Sequence, residues 1–363
     1  MRSVGVEEEL LLVDRETGEP RALSTAVLAA ASDAPGGHDD VFEAELQKQQ
    51  VEFATRPQTS MGDLADEIRR WRAEAARHAE GLGAGVAALA TSPLPASPTI
   101  GSGERHQWLK EHFGLTASEQ LTSGCHVHVS VESDEEGVAV LDRIRPWLAV
   151  LLAMSANSPF WQGEDSGYGS YRSRVWGRWP SAGPVEVFGS ADRYHEQVND
   201  MVASGVLLDK GMIYFDARLS VAYPTVEVRV ADVCLDAGST ALMATLVRGL
   251  VETASRQWKD GEPPARHSVA LLRLAAWRAG RSGLAEELIH PGTMRPAPAE
   301  TVIRALFDHV RDALEDNGDV AFAQERLAAL LRDGNGAAVQ RKLLAQTGDL
   351  RAVVADCVRR TAA

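Results

Sequence analysis

Short stretches in which hydrophobic and polar residues alternate dominate the first part of the chain, and helical periodicity dominates the rest. Strict alternation is typical of β-strands with one buried face, whereas apolar residues three or four positions apart are typical of amphipathic helices. The pattern predicts a strand-rich region over residues 1–235 and a mostly helical region over 236–363. The stretches predicted as strands are residues 5–14, 50–55, 86–91, 121–132 and 212–233.

The predicted helices have start signals as well as periodicity. Ser60 and Asp63 have the spacing of a capping box in front of an apolar helix face. Pro146 interrupts the helical stretch 138–156, where we predict a kink or a restart. Further helices are predicted at residues 239–258, 267–279, 298–316, 319–332 and 336–346, and the Pro-rich stretch 91–104 is predicted to be a loop.

The order of the elements and the composition limit the class of protein to which the chain can belong. Strands followed by helices, with no internal repeat and no obvious linker, predict one α+β domain of 363 residues. The net charge of −14 disfavours a nucleic-acid or anionic-membrane surface. Three widely spaced cysteines without a CxxC pair, and an N-terminal segment without a signal-peptide core, lead us to expect a cytoplasmic protein.

Carboxylates open the first predicted strand. Alternation places Glu7 and Glu9 on one face, and Val6, Glu8 and Leu10 on the other. Two neighbouring carboxylates repel each other, and a divalent cation with oxygen ligands, such as Mg²⁺, would relieve that repulsion. A solvated strand end is the alternative interpretation. The pattern predicts no role for Glu8.

A second pair of carboxylates, Glu45 and Glu52, flanks the stretch QKQQV. Glu52 lies on the polar face of a predicted strand, because Val51 and Phe53 alternate against it. Glu45 lies seven residues earlier, and this odd offset requires a turn or a bulge if both are to reach one point. Ordinary surface charge is the alternative.

The stretch GCHVHVSV predicts a strand with two histidines on its polar face. His126, His128 and Ser130 share that face, while Cys125 lies on the apolar one. Imidazoles and hydroxyls can bind metals or phosphate oxygens, although hydrogen-bonded structural histidines are the alternative. Because of its apolar position, we predict that Cys125 belongs to the core and is not a nucleophile.

The stretch PTVEVRV repeats this arrangement. Its valines form an apolar face, and Thr225, Glu227 and Arg229 form a polar one. A surface ion pair between Glu227 and Arg229 is the alternative interpretation. Three strands thus combine an apolar back with a polar front.

Arginines among aromatic residues and glycines fill residues 167–180, after the stretch NSPFW. Guanidinium groups bind carboxylates and phosphates through paired hydrogen bonds, so Arg172, Arg174 and Arg178 are candidate substrate ligands. An RNA contact is disfavoured by the acidic chain and the neighbouring carboxylates.

Together, these motifs resemble the carboxylate–amine ligases of the glutamate–cysteine ligase type 2 family, relatives of glutamine synthetase. The resemblance is carried by GVEEELLLVD, QVEFAT, GCHVHVS, SANSPFWQG, YRSRVWGRWPSAGP and YFDARLSVAYPTVEVRVAD. It implies a glutamine-synthetase-like α+β fold. In that fold a curved, mainly antiparallel sheet holds ATP and divalent cations on its concave face, and helices pack on the outer face.

The resemblance also implies roles for single residues. It implies metal ligands at Glu7, Glu9, Glu45, Glu52, His126 and Glu227. It implies ATP contacts at His128, Ser130 and Arg229, and a catalytic role for Arg229 and Glu227. The stretch that contains Arg172, Arg174 and Arg178 aligns only loosely with the family, so their predicted substrate contacts rest on guanidinium chemistry. Thr225 departs from the pattern, because glutamine synthetases have a further arginine there.

The reaction that the resemblance implies is a two-step ligation with ATP and Mg²⁺ or Mn²⁺. A carboxylate, expected to be that of glutamate, becomes an acyl phosphate, and an amine, expected to be that of cysteine, then displaces phosphate. A related acid and amine are an open alternative, and a homodimer or higher homo-oligomer is expected. Two other classes also remain open, a metal-dependent amidohydrolase and a non-catalytic nucleotide or metabolite sensor.

Overall fold

A computed structural model describes residues 1–33 and 41–363, and its centre is an open antiparallel sheet. The strands are β1 (Val4–Asp14), β2 (Phe42–Ala44), β3 (Gln50–Ala54), β4 (Ala84–Ala87), β5 (Gly124–Ser130), β6 (Phe160–Trp161), β7 (Glu164–Asp165), β8 (Ala217–Leu219), β9 (Thr225–Asp232), β10 (Glu287–His290) and β11 (Arg295–Pro298). The main sheet has the order β2–β3–β1–β5–β9–β8, and β4 also pairs with β1. Strands β6–β7 and β10–β11 form separate two-stranded sheets.

Helices surround this sheet. They are α1 (Ser24–Ser32), α2 (Met61–Glu80), α3 (Glu104–Phe113), α4 (Leu115–Ser118), α5 (Asp134–Ile144), α6 (Leu148–Ser155), α7 (Arg172–Trp176), α8 (Ala191–Ala203), α9 (Ala237–Lys259), α10 (Val269–Ser282), α11 (Ala299–His309), α12 (Arg311–Asn317), α13 (Val320–Asp333), α14 (Gly336–Thr347) and α15 (Leu350–Thr361). Among the described residues, no helix combines the length and the apolar character needed to cross a bilayer.

The helix signals in the sequence agree with the structure at two points. The Ser60 hydroxyl accepts the backbone N–H of Asp63 at 3.2 Å, so the predicted N-cap is confirmed. Pro146 lies in a 3₁₀ turn between α5 and α6, which confirms the predicted restart. The predicted helix 298–316 is interrupted at Val310 and forms α11 and α12. Helix α15 was not predicted.

The predicted strand 212–233 is wrong as a single element. It contains a 3₁₀ turn, the short strand β8 and the longer strand β9. The two strands form an antiparallel hairpin in which Arg218 lies opposite Glu227. Pro224, which has no backbone N–H, lies in the connection between them, as expected for a residue that interrupts strand pairing. This hairpin brings an additional arginine to the front of the sheet.

The back of the sheet is buried beneath helices. Val6, Leu10 and Leu12 on β1 are at most 1% exposed, and α9 packs against α2, α5 and β5. Cys125 is fully buried in this layer, as predicted, and burial raises the pKa of its thiol well above the ordinary range. The apolar back therefore fixes which side chains face the front.

Glu8, for which the sequence predicted no role, points into this back layer. Arg72 of α2 donates to both of its carboxylate oxygens at 2.7 Å, and the Thr240 hydroxyl of α9 donates to one of them. Both members of the ion pair are fully buried. Glu8 therefore joins β1 to two helices.

Candidate active site

A row of polar side chains crosses the front of the sheet. The pairing of β1 with its neighbours places Glu9 opposite Glu52 and Glu7 opposite His126. On the next pair of strands, His128 lies opposite Glu227. Alternation within each strand put these residues on one face, and the register between strands brings them together into two groups.

The first group consists of Glu9, Glu45 and Glu52. Each offers a carboxylate oxygen within 4.8 Å of the others. Glu45 lies in the connection between β2 and β3, so the chain reverses between Glu45 and Glu52 as their odd spacing requires. Three carboxylates at this separation repel one another unless a cation or protons lie between them.

The electrostatics of this group reflect that repulsion. Burial, followed by the negative charge of Glu45, raises the pKa of Glu9 to about 7. The same two causes raise the pKa of Glu52 well above its usual range. One Glu9 oxygen accepts the Gly124 N–H at 2.7 Å, which holds the side chain in place. The group thus has the oxygen donors that Mg²⁺ and Mn²⁺ prefer.

The second group consists of Glu7, His126 and Glu227, again with ligand atoms within 4.8 Å of one another. His126 Nδ1 lies 3.1 Å from a Glu7 oxygen, and its buried Nε2 has no hydrogen-bond partner among the described residues. Burial and the positive charge of Arg229 lower the pKa of His126 to about 4, so the imidazole is neutral at pH 7. A neutral imidazole with an unused nitrogen fits a metal ligand.

Both carboxylates of the second group are ionised. Burial opposes ionisation of Glu7, but hydrogen bonds from His126 and His128 outweigh it and lower the pKa of Glu7. Burial likewise opposes ionisation of Glu227, yet Arg229 and Arg218 lower the pKa of Glu227 to about 2. Ionised carboxylates are the form that a cation binds.

Two arginines hold Glu227. Arg218 donates to both oxygens of Glu227, at 2.7 and 3.2 Å, and Arg229 forms a second ion pair with the same carboxylate. Arg218 was not predicted from the sequence. The indication available there was its position before the Pro224-containing turn that leads into the strand of Glu227. These guanidinium groups lie beside the second group, where they could contact phosphate.

The two remaining predicted ATP contacts differ in position. His128 belongs to the polar row, with Nδ1 at 3.0 Å from the Thr225 hydroxyl and Nε2 at 3.2 Å from Glu7. Ser130 lies at the end of β5, where its hydroxyl accepts the Ser3 N–H at 3.1 Å. Contacts of His128 and Ser130 with ATP stay predictions.

A cavity of about 380 Å³ lies over the two groups. Three basic side chains in its lining, Arg105, His106 and Arg218, were not predicted from the sequence. Aromatic rings form part of its wall. The lining includes Arg105, His106, Gln120, Trp176, Trp179, Tyr214, Arg218 and Arg229. The cavity thus has an acidic floor and a basic, aromatic wall.

Arg172 lies beneath the cavity surface. It is 2% exposed, and its guanidinium donates to the carbonyl oxygens of Arg229 and Val230 at 3.4 Å. The register between β5 and β9 shifts beside these residues, which leaves backbone groups without their regular sheet partners. The structure therefore gives Arg172 a part in supporting the bulge that carries Arg229.

The other two predicted substrate arginines lie farther out. Arg174 is exposed on α7. Arg178 forms an ion pair with Glu119 at 2.6 Å. The described residues that line the cavity do not include Arg172, Arg174 or Arg178. Substrate contact by these three arginines stays a prediction, whereas Arg105, Arg218 and Arg229 face the cavity directly.

An open antiparallel sheet with two acidic groups that could hold metal ions, under a basic cavity, is an arrangement that suits a carboxylate–amine ligase. A solved structure with a similar fold is that of a glutamate–cysteine ligase from Francisella tularensis in complex with AMP. It has a TM-score of 0.73 at 13% identity and covers 99% of this chain and 88% of that one. At this identity, the likeness shows the fold.

The family follows from sequence comparison. The family model described as glutamate-cysteine ligase family 2 (GCS2) matches residues 3–356, and the chain belongs to this family. A Streptomyces avermitilis protein named "Putative glutamate--cysteine ligase 2-1" is 66% identical over 361 residues, 99% of each chain. A Streptomyces coelicolor protein named "Putative glutamate--cysteine ligase 2" is 64% identical over 363 residues, 100% of each chain.

The resemblance found in the sequence is thus confirmed, as is the predicted α+β class with its antiparallel sheet. The chain is an enzyme, a carboxylate–amine ligase of the glutamate–cysteine ligase type.

Proposed function

We propose that the enzyme uses ATP and a divalent cation to join the side-chain carboxylate of glutamate to the amine of cysteine, giving γ-glutamylcysteine. The observation that carries this proposal is the pair of acidic groups lying side by side beneath a cavity lined by Arg105, Arg218 and Arg229. Acidic groups suit cations, and arginines suit phosphates and carboxylates. The names of the relatives support the choice of glutamate and cysteine.

In the first step, a carboxylate oxygen of the acid attacks the γ-phosphorus of ATP. A new oxygen–phosphorus bond forms, the bond to the bridging oxygen breaks, and ADP departs with the electron pair. Arg229 stabilises the negative charge on the transferred phosphoryl group, and Glu227 orients both Arg229 and Arg218. Mg²⁺ or Mn²⁺ held by Glu7, Glu9, Glu45, Glu52, His126 and Glu227 would supply Lewis-acid stabilisation of the phosphate oxygens.

In the second step, the amine nitrogen attacks the carbonyl carbon of the acyl phosphate. The carbon–oxygen bond to phosphate breaks, and the extra proton on nitrogen leaves with the phosphate. The rings of Trp176 and Trp179 form part of the wall and limit access of water, which would otherwise hydrolyse the acyl phosphate. This route requires no nucleophilic side chain, in agreement with the buried position of Cys125.

The test is to incubate purified protein with ATP, MgCl₂ or MnCl₂, and a panel of carboxylic acids and amines. ADP release and product masses are recorded for each pair. We expect an ATP-dependent amide, with glutamate and cysteine as the best pair. Amide hydrolysis without nucleotide would instead support the amidohydrolase, and tight Mg·ATP binding without turnover on any pair would support the sensor. Light scattering tests the expected homo-oligomer.

A further inference from the structure

One wall of the cavity contains buried polar atoms that the fold itself does not use. Gln120 and Trp179 both line the cavity and are 5% and 3% exposed. The Gln120 Oε1 acceptor and the Trp179 Nε1 donor have no hydrogen-bond partner among the described residues. Leaving a buried donor or acceptor without a partner is costly, so an unused pair in one cavity points to a ligand.

Contacts around this wall place its two segments next to each other. Arg178 and Glu119, which form an ion pair at 2.6 Å, are the residues directly before Trp179 and Gln120 in the chain. The Trp179 ring also packs edge-on against Phe113, with centroids 5.1 Å apart. The unused donor and acceptor therefore belong to segments that lie next to each other.

Arg105 of α3 adds a positive charge to the same cavity. Its ion-pair partner is Asp209, and their side chains are 40% and 46% exposed. Exposed ion pairs contribute little to stability. A carboxylate in the cavity can therefore replace Asp209 as the partner of Arg105 at small cost.

We propose that Arg105, Gln120 and Trp179 recognise the α-carboxylate and the α-ammonium group of the amino acid whose distal carboxylate is phosphorylated. Arg105 and the indole N–H of Trp179 donate to the α-carboxylate, and Gln120 Oε1 accepts from the ammonium group. The inference rests on the proposed function and deepens it. It assigns the residues that select an α-amino acid over a plain dicarboxylic acid.

The test pairs variants with substrates that lack one group. Glutarate is glutamate without its ammonium group, and 4-aminobutyrate is glutamate without its α-carboxylate. We expect Gln120→Met to lower kcat/KM for glutamate roughly tenfold and to leave that for glutarate unchanged. Arg105→Met and Trp179→Phe should each lower kcat/KM for glutamate by a similar factor and leave that for 4-aminobutyrate unchanged. The KM for ATP should stay constant.

The matched control is Arg311→Met, because Arg311 of α12 does not line the cavity, is 42% exposed and pairs with Asp308 of α11. It should alter none of these constants. Equal losses for glutamate, glutarate and 4-aminobutyrate in the three variants would overturn the inference, because they would indicate a general structural effect. Unchanged discrimination among the three acids would overturn it as well.

Failure of this inference can be told apart from failure of the proposed function. If the wild-type enzyme makes an amide from a plain dicarboxylic acid as readily as from glutamate, the ligase stands and the recognition site falls. If it makes no amide at all, calorimetry with glutamate, Mg²⁺ and a non-hydrolysable ATP analogue decides. If the wild type binds glutamate and Gln120→Met and Arg105→Met weaken this binding, the recognition site is supported. If the wild type does not bind glutamate, the inference is overturned.

Discussion

Three consecutive carboxylates, Glu7, Glu8 and Glu9, lie in three different environments. Glu7 is hydrogen-bonded by histidines on the front of the sheet, and Glu8 is neutralised by Arg72 behind it. Glu9 faces two other carboxylates, and its pKa is raised to about 7. Because side chains alternate along β1, only Glu7 and Glu9 of the triplet face the candidate active site.

Removing the charge of one predicted metal ligand in each group tests the proposed metal sites. We expect Glu9→Gln and Glu227→Gln each to lower turnover by roughly 10²-fold, because an amide binds a divalent cation far more weakly than a carboxylate. ADP release at saturating ATP, together with an Mg²⁺ titration, measures the effect.

The control for this experiment is Glu300→Gln, a surface change on α11 where Glu300 pairs with Arg304. It should turn over ATP like the wild type. Near-normal turnover by both site variants would contradict the predicted metal ligands.

The raised pKa of Glu9 predicts how pH affects metal binding. The pKa of Glu9 is about 7 in the folded protein, against an ordinary value of 4.5. Between pH 4.5 and pH 7, the Glu9 carboxyl is therefore protonated in the folded, metal-free protein and ionised in the unfolded protein. Stability of the metal-free protein therefore falls as pH rises from 4.5 to 7. A cation binds only the ionised form, so below pH 7 Mg²⁺ affinity falls by up to about tenfold per pH unit.

The measurement is the increase in Tm on adding Mg²⁺ at pH 6 and at pH 8. We expect a larger increase at pH 8. An equal increase at both values would show that Glu9 does not lose a proton on metal binding.

At the scale of elements, Glu8 and Arg72 connect β1 to α2 by a fully buried ion pair. Arg72→Met would leave the Glu8 carboxylate buried without its cation, and we expect the free energy of unfolding to fall by about 3–5 kcal/mol. Urea denaturation followed by circular dichroism measures this change.

The double variant Glu8→Met/Arg72→Met is the informative comparison, because it removes both charges. It should recover much of the lost stability. A double variant as unstable as Arg72→Met alone would show that packing, and not the unpaired charge, causes the loss.

The elements also show how far the sequence could predict the site. Alternation within β1, β3, β5 and β9 was enough to place every candidate metal ligand except Glu45 on a polar face, because a strand has a fixed period of two. Arg218 was not predicted as a site residue because residues 212–233, which form the hairpin of β8 with β9, were predicted as one strand. Arg105 and Gln120 were missed because neither lies on a strand that takes part in the alternation, and only the tertiary fold brings them to the cavity.

At the scale of the molecule, the helical second part of the chain completes the core of the first. Helix α9 packs against α2, α5 and β5 behind the sheet. A second apolar cluster joins Leu11 and Val13 of β1 to Val353 and Cys357 of α15. The strand-rich and helical regions therefore share their buried surfaces.

This sharing leads us to expect one cooperative unit, as the single-domain prediction requires. Tryptophans lie in both regions, among them Trp71 on α2 and Trp277 on α10, so fluorescence reports on both. In urea, transitions followed by tryptophan fluorescence and by circular dichroism should coincide. A fragment of residues 1–235 should not fold, because the apolar back of its sheet would lose α9 and become exposed to water. Two separated transitions, or a folded fragment with the native sheet signal, would instead show that the main sheet is stable without the helical region.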